Sequence, residues 1–481
     1  ARAYTTCNRM KYVFATRARA LLCVHAGARA DDGKTTASAW PPKIAFAGGT
    51  ELSLGGNLQY DLNRFSGDGY NGAALEDDDA WRRQELGLTL RRKGVYELGV
   101  TYDFHARSWN DVALRVETKA VFGRDLGKVR IGQMKVPLGF EGNTGTRAVS
   151  FLEASLPTQA FYENRRSGID WAFERERYLA NAGYFFESDL LGNNKGDTAA
   201  VRLAWTPRKA AGDVLHLGIA GSQERPDSEV NGLGVTVHPS VRWRARPEAA
   251  LTGVRLVDSG TLTRVDRIDR TGLEALWIHG PWSLQGEYLR QKTTRELGLP
   301  SYSADGGYVL ASWLVTGEAR GYSGGNLTNP KPKGRYGAVE LLARYSRIDL
   351  DSDGISGGQE HNWTLGANWY ITPYLKFQAN YVKSDATRGA FSADPSVFQL
   401  RAQMHFRPRT PPCPRSRSRS ARACRRPAGK HAYLPAERSF RTVTFRRYSG
   451  TDIAPRAWTA TASPDALVPP TERYRDRPHV Q

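Results

Sequence analysis

The sequence has no long apolar run. No stretch reaches the roughly 18 to 20 residues that a membrane-spanning helix needs, which excludes a helical membrane protein. A membrane β-barrel is not excluded, because its alternating strands look nearly neutral in hydropathy; the mean hydropathy here is −0.53. Cysteine is missing from residues 31–406. The four in the chain, Cys7, Cys23, Cys413 and Cys424, show no CxxC spacing and no nearby histidine pair, so no zinc site is implied. A G-x-x-x-x-G-K-[ST] loop, an H-E-x-x-H helix and a nucleophile elbow are also missing, which removes the commonest enzyme readings. Neither an enzyme nor a cofactor nor a metal is implied.

Acidic residues are scarce in two flanks. Residues 1–30 carry six basic and no acidic side chains, and residues 407–481 carry 17 basic and five acidic. Of the net charge of +19, almost nothing remains for residues 31–406, with 45 basic against 44 acidic side chains. A high pI points to nucleic acid when the excess covers a folded surface. Here it is confined to the flanks, so no nucleic-acid partner is expected. Residues 1–30 run from Met10 and Lys11 through Arg17 and Arg19 to Ala20-Leu21-Leu22-Cys23-Val24, then Ala28-Arg29-Ala30. That is the order of a secretory signal peptide; a disordered basic N-terminus is the alternative. Residues 31–50 would then be an N-terminal periplasmic segment. Residues 407–481 are basic and of low complexity, with alternating Arg-Ser and scattered Pro. They read either as a disordered tail or as translation beyond the natural stop.

What fills residues 51–406 is alternation. Phe398, Leu400, Ala402, Met404 and Phe406 alternate with Gln399, Arg401, Gln403 and His405. Period two with one apolar and one polar face is a strand. Segments 197–206, 282–290, 361–371 and 373–384 repeat it, and further candidates, 235–247 and 250–258 among them, bring the count to about 16 to 18. A soluble sandwich would have to bury the Arg, Gln, Glu, Asn and Lys of the second face, at high cost. In a membrane barrel that face lines water and the apolar face meets lipid. The expected fold is therefore all-β, a transmembrane antiparallel barrel of the bacterial outer membrane. Tight turns such as 371–374 should occupy one end and long loops such as 318–334 and 350–360 the other. Residues 137–165 lack alternation and contain Pro137, Gly139, Gly142, Gly145 and Pro157, as an inward-folded constriction would.

The candidate site is a set of arginines. Arg242, Arg244 and Arg246 recur at period two, so on a strand they share one face at about 6.6–6.8 Å spacing. On lipid they would be costly, so they belong in the lumen, where stacked cations give an anion a series of weak, wet sites. Pairing with lumenal carboxylates such as Glu340 or Glu287 is the competing reading. Arg82 and Arg83 are adjacent, so one of them must sit at a bulge or loop end to share the lumen. Arg147 is the central cation of the constriction, and Arg165 and Arg166 close that stretch.

Several motifs together resemble the phosphate-selective porin O and P family of Gram-negative outer membranes. They are Gly132-Gln133-Met134-Lys135-Val136-Pro137-Leu138-Gly139, Phe151-Leu152-Glu153-Ala154-Ser155-Leu156-Pro157, Val214-Leu215-His216-Leu217-Gly218, the Arg242/Arg244/Arg246 alternation, Glu287-Tyr288-Leu289-Arg290 and the aromatic end at Phe406. The resemblance covers roughly residues 50–406. It implies a barrel of about 16 strands, a homotrimer, an inward-folded third loop and an arginine ladder in the phosphate-specific members. Arg242, Arg244 and Arg246 match that ladder, Arg82 and Arg83 match a pair within it, and Arg147 falls where a constriction lysine is expected. Asn57, Gly142 and Ala154 stand where those members carry further cations. The expected function is passive, anion-selective uptake of phosphate or polyphosphate across an outer-membrane lipid bilayer. A general diffusion porin and a non-conducting structural or adhesion barrel are the alternatives. For the tail, intact mass of the outer-membrane form is decisive: a species ending near residue 406 supports read-through or trimming, and a full-length one sinks it.

Overall fold

The computed structural model describes residues 41–406, except 68, 71–74 and 187. The expectations for residues 1–30 and 407–481, and all four cysteines, lie outside the described residues. Sixteen long strands form one antiparallel barrel. They are β1 (Thr50–Ser66), β2 (Asp78–Arg92), β3 (Tyr96–Asp103), β4 (Ser108–Glu117), β5 (Lys128–Lys135), β6 (Arg165–Glu174), β7 (Tyr178–Phe185), β8 (Gly196–Ala210), β9 (Asp213–Pro226), β10 (Val265–His279), β11 (Trp282–Arg295), β12 (Tyr302–Leu314), β13 (Ala338–Ser352), β14 (Ile355–Tyr370), β15 (Leu375–Arg388) and β16 (Ser396–Phe406). Each strand pairs with its chain neighbour. β16 returns to β1, from Gly56 opposite Phe406 to Ser66 opposite Ser396, and closes the cylinder. Gly56 has to be small there: a Cβ would lie 2.6 Å from the Phe406 ring.

The wall is inverted relative to a soluble protein. In β11 the exposed positions are Trp282, Leu284 and Tyr288, and the buried ones are Ser283, Gln285 and Glu287. In β14 Trp363, Leu365 and Trp369 face out while Asn362, Thr364 and Asn368 are buried. Aromatic rings band the outer face. Trp282 and Trp313 stack at 5.0 Å at the ends of β11 and β12, and Tyr345 and Trp363 meet at 4.9 Å midway along β13 and β14. This is the apolar band and aromatic girdle of a barrel that sits in lipid.

Two expected strands, 235–247 and 250–258, are absent from the wall. Between β9 and β10 the chain makes an exposed hairpin, Glu229–Val230 with Thr236–Val237, and then runs inward with two further two-residue pairings, Ser240–Val241 with Leu262–Thr263 and Arg244–Ala245 with Val257–Asp258. The alternation there is real, but its apolar face packs inside the barrel. Trp243 and Ala245 join Phe161, Ile268 and Leu289 in one buried cluster. The expected placement of loops is corrected too. The segment 315–337, which contains 318–334, lies at the end that carries residues 50 and 406, together with turn 371–374. It folds inward, burying Leu327 and Arg320. The expected loop 350–360 is almost all strand, turning only at residues 353–354, because the polar ends of β13 and β14 stay paired from Asp349 to Ile355.

The orientation of the wall generates a test. Ile219→Arg, on the outward face midway along β9, should destabilise the barrel by about 2–4 kcal/mol in urea titrations of vesicle-refolded protein. An unchanged midpoint would contradict the lipid-facing assignment.

Candidate functional site

The lumen is narrowed by residues 136–164, between β5 and β6. This stretch folds inward because it carries large apolar side chains that the polar interior otherwise lacks. Val136 and Leu138 pack with Phe185 and Ala220; Phe140 packs with Leu276 and Ile278; Phe151 packs with Tyr308 and Leu342. A short helix, Leu156–Phe161, docks under Trp243, whose ring lies 5.8 Å from that of Phe161. Polar contacts fix the entry. Glu287 accepts the amides of Phe140 (2.8 Å) and Glu141 (3.0 Å). Gly139, at φ 72°, leaves room for that carboxylate: a Cβ would lie 2.1 Å from Glu287 Oε1.

Arg82 and Arg83 share the interior through a β-bulge. Gln59 pairs with Arg83 and the next residue, Tyr60, pairs with Trp81, so Arg82 is the extra residue. Arg82 grips Glu153 of the constriction with Nε–Oε1 2.8 Å and Nη2–Oε2 3.2 Å. Arg83 lies 3.4 Å from Glu85. Arg401 adds a third cation, bidentate on Asp61 at 2.6 and 2.5 Å and 3.2 Å from Glu153. Burial pushes the Glu153 carboxyl up, but the Arg82 guanidinium, with Arg401 and Arg83 behind it, overrides this and holds it at about 2.

Arg242, Arg244 and Arg246 sit on the inward segment between β9 and β10, not on a wall strand. Arg242 and Arg244 are exposed and Arg246 is half-buried, while the intervening Trp243 and Ala245 are buried. Arg242 is neutralised by Asp258, with bonds of 2.7, 3.0 and 2.5 Å. Arg246 Nε donates to the Thr252 carbonyl at 2.9 Å, and its guanidinium is within electrostatic reach of Glu153, Arg82 and Arg244. Neither Glu340 nor Glu287 pairs with these arginines: Glu340 holds Arg320 at 3.0 Å, and Glu287 takes backbone amides.

Arg255 was not singled out in the sequence. Burial and then the neighbouring Arg246 and Arg244 push its guanidinium down to about 10, the mark of crowded cations. Among the described residues, no carboxylate lies within ion-pair distance of Arg244, Arg246 or Arg255. The only hint in sequence was its place in the second false strand, 250–258.

Arg147 is half-buried in a different sector. Its carbonyl accepts from Asn329 (3.0 Å) and Gln403 (3.1 Å), and its charge acts on His405 together with Lys376. Arg165 is bound to Asp111 at 2.8 Å and Arg166 to Glu224 at 2.7 Å, so both brace the wall. Asn57 bonds Glu85 (3.2 Å) and Thr146 (3.3 Å). Gly142 is pressed against Tyr162, whose ring would lie 2.5 Å from a Cβ, so a longer side chain requires Tyr162 to move. Lys135 reaches into the same corner, donating to the carbonyls of Gly142 (2.7 Å) and Thr144 (2.9 Å).

The family profile described as phosphate-selective porin O and P matches residues 52–406. Porin O of Pseudomonas aeruginosa is 24% identical over 408 residues, covering 76% of this chain and 91% of that protein. An uncharacterized protein of Caulobacter vibrioides is 27% identical over 311 residues, and the chain spans 61% of its length, with 61% of this chain covered. Among solved structures, OmpT of Vibrio cholerae, an outer membrane protein, superposes with a TM-score of 0.51 at 12% identity, covering 76% of this chain and 99% of OmpT. At that identity it shows the fold alone. The chain belongs to the phosphate-selective porin O and P family, and is an outer-membrane β-barrel channel and not an enzyme.

Proposed function

We propose that the channel passes small anions passively and that inorganic phosphate binds transiently along its arginines. The carrying observation is the group Arg244, Arg246 and Arg255 on one inward segment, with no carboxylate within ion-pair distance and Arg82 close by. Guanidiniums present paired donors that suit the oxygens of a tetrahedral anion, and a succession of them releases it again. In this reading Arg242, Arg244, Arg246, Arg82, Arg83 and Arg147 line the path, as the family resemblance implies, and Arg255 joins them. No energy source is invoked; the gradient drives flow.

A specific observation favours a second reading, a general diffusion porin. Arg82, Arg83 and Arg242 are each matched by a carboxylate, and Asn57 and Gly142 supply no charge where further cations are expected. Phosphate or polyphosphate preference is therefore the part to be tested first.

Planar-bilayer recordings under a KCl gradient, followed by phosphate titration, separate the two. An anion-selective reversal potential with phosphate block of chloride current supports the proposal; a conducting pore with no block reduces it to general diffusion. Arg244→Ala should raise the half-blocking phosphate concentration about three- to tenfold, as for loss of one wet charge-assisted hydrogen bond.

Glu153 gives a second expectation, of opposite sign. Glu153→Gln leaves Arg82 and Arg401 less neutralised, so anion selectivity should rise and block should strengthen. Its carboxyl is depressed from 4.5 to about 2, so its hold on the loop is complete above the ordinary value and is lost as pH falls toward 2. Wild-type channels should accordingly keep this neutralisation at pH 5, and the difference between wild type and variant should persist there. A difference that vanishes by pH 5 would contradict the ion pair.

A further inference from the structure

Five successive carbonyls in the constriction are all taken by side chains from the surrounding barrel. Thr146 O accepts from Gln59 Nε2 (3.3 Å), Arg147 O from Gln403 Nε2 (3.1 Å) and Ala148 O from Arg320 Nη2 (2.6 Å). Val149 O accepts from Lys376 Nζ (3.2 Å), and Ser150 O accepts from Asn368 Nδ2 (2.8 Å) and Gln378 Nε2 (3.1 Å). None of these six donors is more than 3% exposed. Five come from β1 and β14–β16, and Arg320 comes from the inward segment 315–337. Four of the six are neutral amides.

An extended chain alternates its carbonyls, so five in a row meeting donors on the wall side require the turn that residues 146–148 make. A trans peptide holds its C=O and N–H on opposite sides. With the carbonyls of residues 146–150 turned to the donors, the amide edges of the following residues lie on the other side. One of them, that of Ala148, is used within the turn by Gly145 O at 2.8 Å. Carbonyl oxygens attract cations and repel anions, and amide edges do the reverse. In a narrow, weakly screened passage such fixed dipoles bias which ion enters, with no change in net charge.

We propose that these buried donors are positioning residues for ion selection: they turn the peptide dipoles of residues 146–150 so that carbonyl ends face the wall and the permeating species meets the opposite edge. The ligand class is a small anion, halide or oxyanion. This deepens the anion-channel reading and rests on it, yet it predicts a shift that neutral side chains alone produce.

Gln59→Met and the double variant Asn368→Leu/Gln378→Met test it, since neither alters charge and each removes every side-chain donor to its carbonyl, Thr146 O or Ser150 O. The full chain is recorded in planar bilayers under a KCl gradient, with barrel folding checked by heat-modifiable gel mobility. The chloride-to-potassium permeability ratio should fall about twofold or more in each folded variant, because freed carbonyls can turn toward the passage. A purely structural role would alter conductance or heat stability and leave the ratio alone. An unchanged ratio in either folded variant overturns the proposal. A wild-type pore without anion preference would overturn the function proposed above, whereas the shift from wild type to variant tests the dipoles separately.

Discussion

Backbone hydrogen bonding in lipid is the constraint on which everything else rests. A strand edge facing hydrocarbon has no water to satisfy it, so the sheet must close. Closure falls on β1 and β16, where the pairing from Gly56–Phe406 to Ser66–Ser396 leaves no edge. The seam is reinforced from within: Asp61 and Arg401 are directly opposed in register and joined by two bonds of 2.6 and 2.5 Å. The same Arg401 donates to Leu152 O at 2.8 Å and reaches Glu153. One side chain thus ties the last wall strand both to the first and to the segment that narrows the pore.

Closure also explains why the interior is built from charge pairs. Once the apolar residues face lipid, the other half of every strand faces inward, and its Arg and Glu must find partners or water. Near the wall they find partners: Arg202 with Glu274, Arg320 with Glu340, Arg344 with Glu141 and Glu248. Cations without a carboxylate arise where the chain leaves the wall, on the segment between β9 and β10: Asp258, the residue opposite Arg244, is taken by Arg242. Arg244, Arg246 and Arg255 are such a case. A balanced composition and a locally cationic passage are therefore compatible.

The wall was legible in sequence because alternation reports directly on which face meets lipid. β14 and β16 could be read residue by residue, and the adjacency of Arg82 and Arg83 already required a bulge or loop end, which the pairing of Gln59 and Tyr60 supplies as a bulge. The same signal failed between β9 and β10. Alternation marks two different faces, not what covers them, and Trp243 and Ala245 are covered by Phe161 and Ile268 instead of lipid. Segment 315–337 was legible as irregular but not as inward-folded, since Leu327 and Arg320 find partners, Phe140 and the Ala148 carbonyl, far away in sequence. The arginine ladder was visible as spacing. Its partners were not: Asp258 and Glu153 become neighbours only through the fold.

The two inward segments enter from opposite ends and meet. Residues 136–164 descend from one rim and 315–337 rise from the other, where Leu327 packs in one cluster with Phe140 and Arg320 bonds Ala148 O. Asn329 adds a bond to Arg147 O at 3.0 Å. Neither segment is braced by strand pairing with the wall, so each depends on side-chain donors and on the other. Lys376 shows how far this goes: a fully buried ammonium on the polar face of β15 whose bonds go to the carbonyls of Arg147 and Val149. Such a lysine is an expensive way to anchor a loop, and an apolar contact could do the same at less cost. Donors of this kind anchor the segment and at the same time fix which end of each peptide is turned away from the passing ion. Anchoring and selection are then properties of the same bonds, and the width of the passage and its electrostatic sign cannot be tuned independently.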